Sequence, residues 1–194
     1  MIPAPRIVAL AVIGIAASLA LAPPRAAAQT RLIDEVKVGV LAHDIGFLTH
    51  HVESGADINI ELLFSSPDVL SLIGAPRPHI GADINMSGNT SDGHFGLTWG
   101  WTLLPSLFGG GAVFANGSLG GAVHDGFTGT KTSVAPPGRK LLGSQVLFRE
   151  SAELGYQITP IVSVSAILDH ISNANLAPRN AGITSAGARL GFKF

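Results

Sequence analysis

His170 and Ser172 stand two residues apart in the run Leu168-Asp169-His170-Ile171-Ser172-Asn173-Ala174-Asn175. Side chains of an extended chain alternate between faces, so these two share a face and can approach each other. An imidazole beside a hydroxyl has the makings of acyl transfer, because serine is a weak nucleophile until a base takes its proton. Reading backwards with the same parity gives Leu168, Ala166, Val164 and Val162, with Asp169, Ser165 and Ser163 opposite. The polar pair therefore closes a stripe otherwise fit for lipid or a core. Histidine and serine at a strand end also serve as plain loop polar groups, and His-x-Ser alone does not separate the two readings.

The elements that hold this pair must suit an unusual composition. The chain has 194 residues, a formal net charge of −1 and no cysteine. One domain is expected from that length. The charge balance argues against a nucleic-acid partner, which needs clustered Lys and Arg. Absent cysteine excludes disulfides and cysteine-based metal sites. Hydrophobic residues make up 46% and charged residues 13%, yet after the N-terminal segment no apolar run is long enough for a spanning helix. Alternating strands conceal such apolarity, which points to a membrane barrel.

The N-terminus has the layout of a secretory leader. Arg6 gives a positive start, 7–21 an apolar run, and Ala26-Ala27-Ala28 a small-x-small cleavage pattern. Cleavage after Ala28 is expected, leaving 29–194 as the barrel; a retained anchor is the alternative. Export combined with barrel patterning points to a Gram-negative outer membrane.

Period-2 patterning marks eight strands. Val36, Val38, Val40 and Ala42 share a face of the first. Ile58, Ile60, Leu62 and Phe64 oppose Asp57, Asn59 and Glu61 in the second. Ile80, Ala82, Ile84 and Met86 oppose His79, Asp83 and Asn85 in the third. Phe95, Leu97, Trp99, Trp101 and Leu103 oppose His94, Gly96, Thr98, Gly100 and Thr102 in the fourth. The fifth, about 112–123, is too glycine-rich to assign its facing. In the sixth, about 143–157, Val146, Phe148, Ala152, Leu154 and Tyr156 face away from Arg149, Ser151, Glu153 and Gln157. Glu150 falls on the apolar side there, through a parity slip or because that end has left the lipid. The seventh is 161–168 with its polar end. The last, 184–194, sets Ala186, Ala188, Leu190, Phe192 and Phe194 against Arg189 and Lys193. The expected fold is all-β: an eight-stranded antiparallel transmembrane barrel with a lumen filled by side chains. A soluble barrel is the alternative.

With both termini periplasmic, outer loops fall near 44–55, 88–92, 125–140 and 173–182. Turns fall near 65–77, 105–110 and 159–160. The third outer loop, with Pro136-Pro137-Gly138, reads as a plain turn former. His170 and Ser172 then sit at the outer end of strand seven, facing lipid. In such membranes that level meets the acyl esters of lipid A.

His170-Ile171-Ser172-Asn173-Ala174, followed by Asn180-x-Gly182-Ile183, resembles the signature of the lipid A deacylases, the PagL-like 3-O-deacylases. The close match covers about the last strand pair. The resemblance implies an eight-stranded outer-membrane barrel with a lipid-facing Ser-His-Glu triad, needing no cofactor or metal. It implies Ser172 as nucleophile and His170 as base. It places Asn173 beside the nucleophile as oxyanion support, with Asn175 and Asn180 near the site. The substrate it implies is an ester-linked acyl chain of lipopolysaccharide in the outer leaflet.

One position departs from that pattern. The family's acid lies fourteen residues after its histidine, where this chain has Thr184, and no Asp or Glu follows Ser172. Thr184 has the parity to face outward beside His170. A hydroxyl can orient an imidazole but cannot stabilise an imidazolium as a carboxylate does. Asp169 is expected on the other face, while Glu150 and Glu153 are the acids that strand six could bring near. A non-catalytic structural or lipid-binding barrel is therefore a rival to the esterase, and a small channel a third reading. The sequence leaves homodimerisation open. Of the remaining polar residues, Asp83, Asn85, His94 and Thr98 are expected in the lumen, Trp99 and Trp101 in an interfacial girdle, and His50 and His51 in solvated loop. The histidines outside the His-x-Ser motif show no metal-ligand spacing in sequence.

Overall fold

A computed structural model describes residues 31–107 and 111–194. The expected leader, the new N-terminus near Gln29 and residues 108–110 lie outside the described residues. Eight antiparallel strands, β1 (Ile33–Ala42), β2 (Ala56–Phe64), β3 (Arg77–Asn85), β4 (Asp92–Leu107), β5 (Gly111–His124), β6 (Val146–Gln157), β7 (Val162–Ser172) and β8 (Ile183–Lys193), close into one barrel in sequence order. β1 seals against β8 with Val38 opposite Leu190 and Ala42 opposite Ala186. Closure leaves no unpaired strand edge, the condition for backbone to survive in hydrocarbon.

The alternation is inverted relative to a water-soluble domain. Ile60, Ile80, Phe95, Leu154, Leu190 and Phe192 are exposed on the outer wall, whereas Glu61, His79, His94, Arg149, Glu153 and Arg189 are buried in the lumen. Leu97 and Trp99 share the outward face and are half-buried. The Trp99 indole N–H donates to the Ile73 carbonyl at 2.8 Å, so Trp99 is anchored to the turn beneath it. That turn carries a short 3-10 helix, Asp68–Ile73. β5 turns Asn116, Ser118, Ala122 and His124 inward and Leu119 and Val123 outward, which its glycines had concealed.

Buried charge in the lumen is paired. Glu153 takes Lys37 at 2.6 Å and Arg189 at 2.9 Å; Arg149 reaches Glu61 at 3.3 Å and is paired with Asp169. Asn59 donates to Asp83 at 2.7 Å, and His79 shares a hydrogen bond with Thr98. Such satisfaction is what a buried polar core requires. The filling is incomplete toward the turns. There the lumen widens into a cavity of about 490 Å³ bordered by Asp34, Asp68, Arg77, Thr102, Asn116 and Lys193.

The opposite end is closed by its own loops, which run over 43–55, 86–91, 125–145 and 173–182. The 125–145 loop does more than turn the chain. Leu142 drops into an apolar cluster with Ala122, Leu147, Ile171 and Ile183. Its backbone amide bonds the Phe127 carbonyl at 2.7 Å, and the Leu141 carbonyl accepts from the Ala181 amide at 3.3 Å. This plug sits directly behind the ends of β7 and β8.

Candidate active site

β7 ends with His170 and Ser172 on the outer wall, half-buried, continuing the stripe of Val162, Val164, Ala166 and Leu168. Antiparallel pairing sets Thr184 of β8 directly opposite His170. His170 Nδ1 and Thr184 Oγ1 are 2.8 Å apart, a full hydrogen bond. The ring is thereby fixed at Nδ1. Among the described residues the Ser172 hydroxyl has no hydrogen-bond partner, so Ser172 and His170 share the outer face without being bonded to each other. Catalytic hydrogen bonds often tighten only with substrate present.

Thr184 is fully enclosed although it belongs to the outer face. The 43–55 loop folds over it: the Ile45 amide donates to the Thr184 carbonyl at 2.7 Å. Lys140, reaching across from the 125–145 loop, locks the same corner. Its ammonium donates to Asp44 Oδ1 at 2.5 Å, to Thr49 Oγ1 at 3.0 Å and to the Gly182 carbonyl at 2.7 Å. Gly182 has φ +54, and a Cβ there would lie 3.0 Å from Thr49 Cγ2 and 3.2 Å from His170 Cε1. Only glycine suits both that backbone and that approach.

Glu53 ties the neighbouring loops together. Its carboxylate accepts the Thr90 amide at 2.9 Å, the Lys140 amide at 2.9 Å and His43 Nε2 at 3.2 Å, while His43 Nδ1 lies 2.8 Å from Asp57 Oδ2. Burial opposes the charged form of His43, but Asp57 and Glu53 outweigh it and hold the imidazole up at about 9. Burial also opposes ionised Glu53; the bonds from His43 and from the Lys140 and Thr90 amides outweigh it and hold the carboxyl down at about 2. Lys140 is pushed down by burial, against the pull of Asp44.

The expected site asparagines assemble as a brace for the 173–182 loop. Asn173 is buried, and its side-chain amide donates to the Leu142 carbonyl at 2.7 Å and to the Arg179 carbonyl. Its backbone amide donates to Asn180 Oδ1 at 3.0 Å, and Asn180 Nδ2 donates to Asn175 Oδ1 at 3.2 Å. In this arrangement the Asn173 donors face loop carbonyls and not the space above Ser172.

Asp169 lies on the opposite face, buried in the lumen and paired with Arg149. Glu153 is likewise a lumen residue, bound to Lys37 and Arg189, and does not reach His170. Glu150 is different: the parity of β6 does not slip, and Glu150 stands on the outer wall directly opposite His170. His51 is bonded through Nδ1 to the Asp44 carbonyl, so it too belongs to the loop clamp. Among the described residues, Asp83, Asp92 and His94 form one grouping with metal-ligand spacing, brought together by the fold inside the lumen. Each has a protein partner: Asn59 donates to Asp83, and His94 bonds Asp92 at 3.0 Å.

Lys140, Asp44 and Glu53 were not legible as site residues, since they lie 30 or more positions from the motif. The one hint was Leu141-Leu142, an apolar pair in a polar loop.

The family model described as lipid A 3-O-deacylase (PagL) matches residues 76–193, which takes in β3 to β8 and the whole polar corner. Among solved structures, the outer membrane enzyme PagL is similar at TM-score 0.60 and 21% identity, covering 82% of this chain and 99% of that one. Neisserial surface protein A (TM-score 0.48, 13% identity, 82% and 96% covered) also resembles it. So does the Yersinia pestis outer membrane protein Ail (TM-score 0.45, 10% identity, 84% and 99% covered). No curated protein sequence matches.

Proposed function

Because the chain belongs to the lipid A 3-O-deacylase (PagL) family of outer-membrane proteins, we propose that it hydrolyses an ester-linked acyl chain of lipid A, using Ser172 and His170. The observation that carries this reading is the polar corner itself. Ser172, His170 and Thr184 sit together on an outer wall that is otherwise apolar, at the loop end of the barrel. Longer loops mark the outer side of such barrels, so this corner stands at the level of the outer leaflet's acyl esters.

The mechanism follows from the orientation of the ring. With Nδ1 held by Thr184, Nε2 is the nitrogen free to serve Ser172. As Ser172 Oγ attacks the acyl carbonyl carbon, Nε2 takes the hydroxyl proton. It then returns that proton to the departing sugar oxygen as the tetrahedral intermediate collapses. Water, deprotonated by the same nitrogen, releases the fatty acid from Ser172 and restores the hydroxyl. Thr184 orients the ring, and Asn173, Asn175 and Asn180 brace the loop that follows the nucleophile.

Thr184 does this less strictly than a carboxylate would. A carboxylate only accepts, which forces the proton onto Nδ1 and leaves Nε2 as base. A threonine hydroxyl can donate as well as accept, so it also tolerates the unproductive tautomer. That freedom favours the second reading, a non-catalytic lipid-binding barrel. Mass spectrometry of lipid A from cells with and without the protein separates the two: loss of one acyl chain supports the hydrolase, and unchanged lipid A refutes it. We further propose that 1–28 is a leader removed after Ala28; N-terminal sequencing of the membrane-inserted protein that begins at Met1 would contradict this.

A further inference from the structure

We propose that Glu150 supplies the negative charge absent from position 184, so that two strands flanking His170 divide the work of one triad acid. Thr184 on β8 sets the ring, and Glu150 on β6 stabilises the imidazolium. This inference rests on the hydrolase reading above and deepens it.

The barrel register gives the placement. Leu119, Glu150, His170 and Thr184 form one row across β5, β6, β7 and β8, all on the outer face. Directly opposed residues have Cβ atoms about 5 Å apart, which brings a glutamate and a histidine within reach of each other. Glu150 is half-buried, and among the described residues it makes no hydrogen bond and no ion pair. Its neighbours on the same face of β6, Val146, Phe148, Ala152 and Leu154, are apolar.

An unpaired carboxylate on a lipid-facing wall is costly and is a functional candidate by default. The lumen acids need no such explanation, because each serves a cation or a hydrogen-bond donor. Glu150 has one ionisable neighbour across the ladder on its own face, and that is His170. When Ser172 gives its proton to His170, the new positive charge forms beside this carboxylate. No atom moves between Glu150 and the ring; the effect is electrostatic.

The charged groups around His170 are few. Glu150 faces it from β6. Lys140 and Asp44 approach from the loops beside Gly182 and Thr184. Asp169 and Arg149 lie behind it across the wall, paired with each other. Lys140 is matched by Asp44 and Arg149 by Asp169, which leaves Glu150 as the unmatched charge.

The test uses the full-length protein refolded in detergent with purified lipopolysaccharide. Glu150→Gln keeps the shape, removes the charge and suits a lipid-facing position better, so the barrel folds; heat-modifiable gel migration checks this. The expected result is a fall in kcat of roughly 100-fold, the size of one charge about 6 Å away at an effective dielectric of about 20. The acid limb of the kcat–pH profile should also move to lower pH, because His170 loses the carboxylate that favours its protonated form. Glu150→Asp should recover part of both effects. Glu150→Gln in the Thr184→Glu background should cost far less, since the charge is then supplied from β8. An active wild type whose kcat and acid limb are unchanged in Glu150→Gln overturns the proposal alone. So does a loss of activity with an unmoved acid limb. Wild type no better than Ser172→Ala overturns the hydrolase reading, and this proposal with it.

Discussion

His170 and Thr184 face each other across β7 and β8, joined by a 2.8 Å hydrogen bond between Nδ1 and Oγ1. Thr184 is fully buried beneath the 43–55 loop, so water does not compete for that bond. Removing the hydroxyl without changing the shape isolates its contribution. Thr184→Val should lower kcat about fivefold, since one such bond is worth about 1 kcal/mol, while KM changes little. Thr184→Glu should raise kcat by restoring an acceptor-only partner. It should also lower the melting temperature, because the added carboxylate must be enclosed. Steady-state kinetics and thermal melts of the three proteins check both directions.

Gly182 makes a second, independent prediction. With φ +54 and His170 Cε1 3.2 Å from a would-be Cβ, Gly182→Ala should strain the loop and push the ring away from Ser172. A stability loss of about 1 kcal/mol is expected from the backbone conformation alone. The kcat should fall further than that loss explains, and Gly88→Ala serves as control. Gly88 also has positive φ but meets nothing within 4 Å, so its variant should lose stability and keep kcat.

The loop clamp predicts a pH dependence. Glu53 is held down at about 2, so its contribution is complete above its ordinary 4.5 and is lost as pH falls through 2. His43 is held up at about 9, so its contribution is complete below 6.5 and declines as pH rises through 9. The clamp should therefore be tightest between about pH 4.5 and 6.5 and should loosen on either side of that window. Hydrogen exchange of 43–55, corrected for intrinsic rates, should quicken between pH 6.5 and 9.5. His43→Gln should remove that dependence; equal protection at both pH values would contradict the assignment.

The fold was legible because a lipid-facing barrel writes its two faces into the sequence with period two. Val36 to Ala42, Ile58 to Phe64 and Ala186 to Phe192 each reveal their outward face at sight, and the structure keeps all of them. β5 was not legible, since Gly117, Gly120 and Gly121 carry no side chain to alternate. His170 and Ser172 were legible as a pair through strand parity, and Thr184 through the family resemblance, which places the triad acid at that position. Lys140 and Glu53 were not, because loops have no period and their partners are set by three-dimensional closure alone. Asn173 shows the limit of motif reading: its place in the motif was visible, but its engagement by the Leu142 carbonyl depends on a loop 31 residues earlier.

In the proposed function Ser172 and His170 act as one unit on an ester of lipid A. The most direct measurement is fatty-acid release from purified lipopolysaccharide by wild type, Ser172→Ala, His170→Ala and the double variant, all shown to be folded. Each single variant should abolish release, and the double variant should be no worse than either, because members of one catalytic unit do not contribute additively. A half-buried strand-end hydroxyl without a hydrogen-bond partner among the described residues contributes little to stability, so Ser172→Ala should melt with the wild type. Release by wild type that survives in Ser172→Ala, or wild type as inert as Ser172→Ala, would contradict the account.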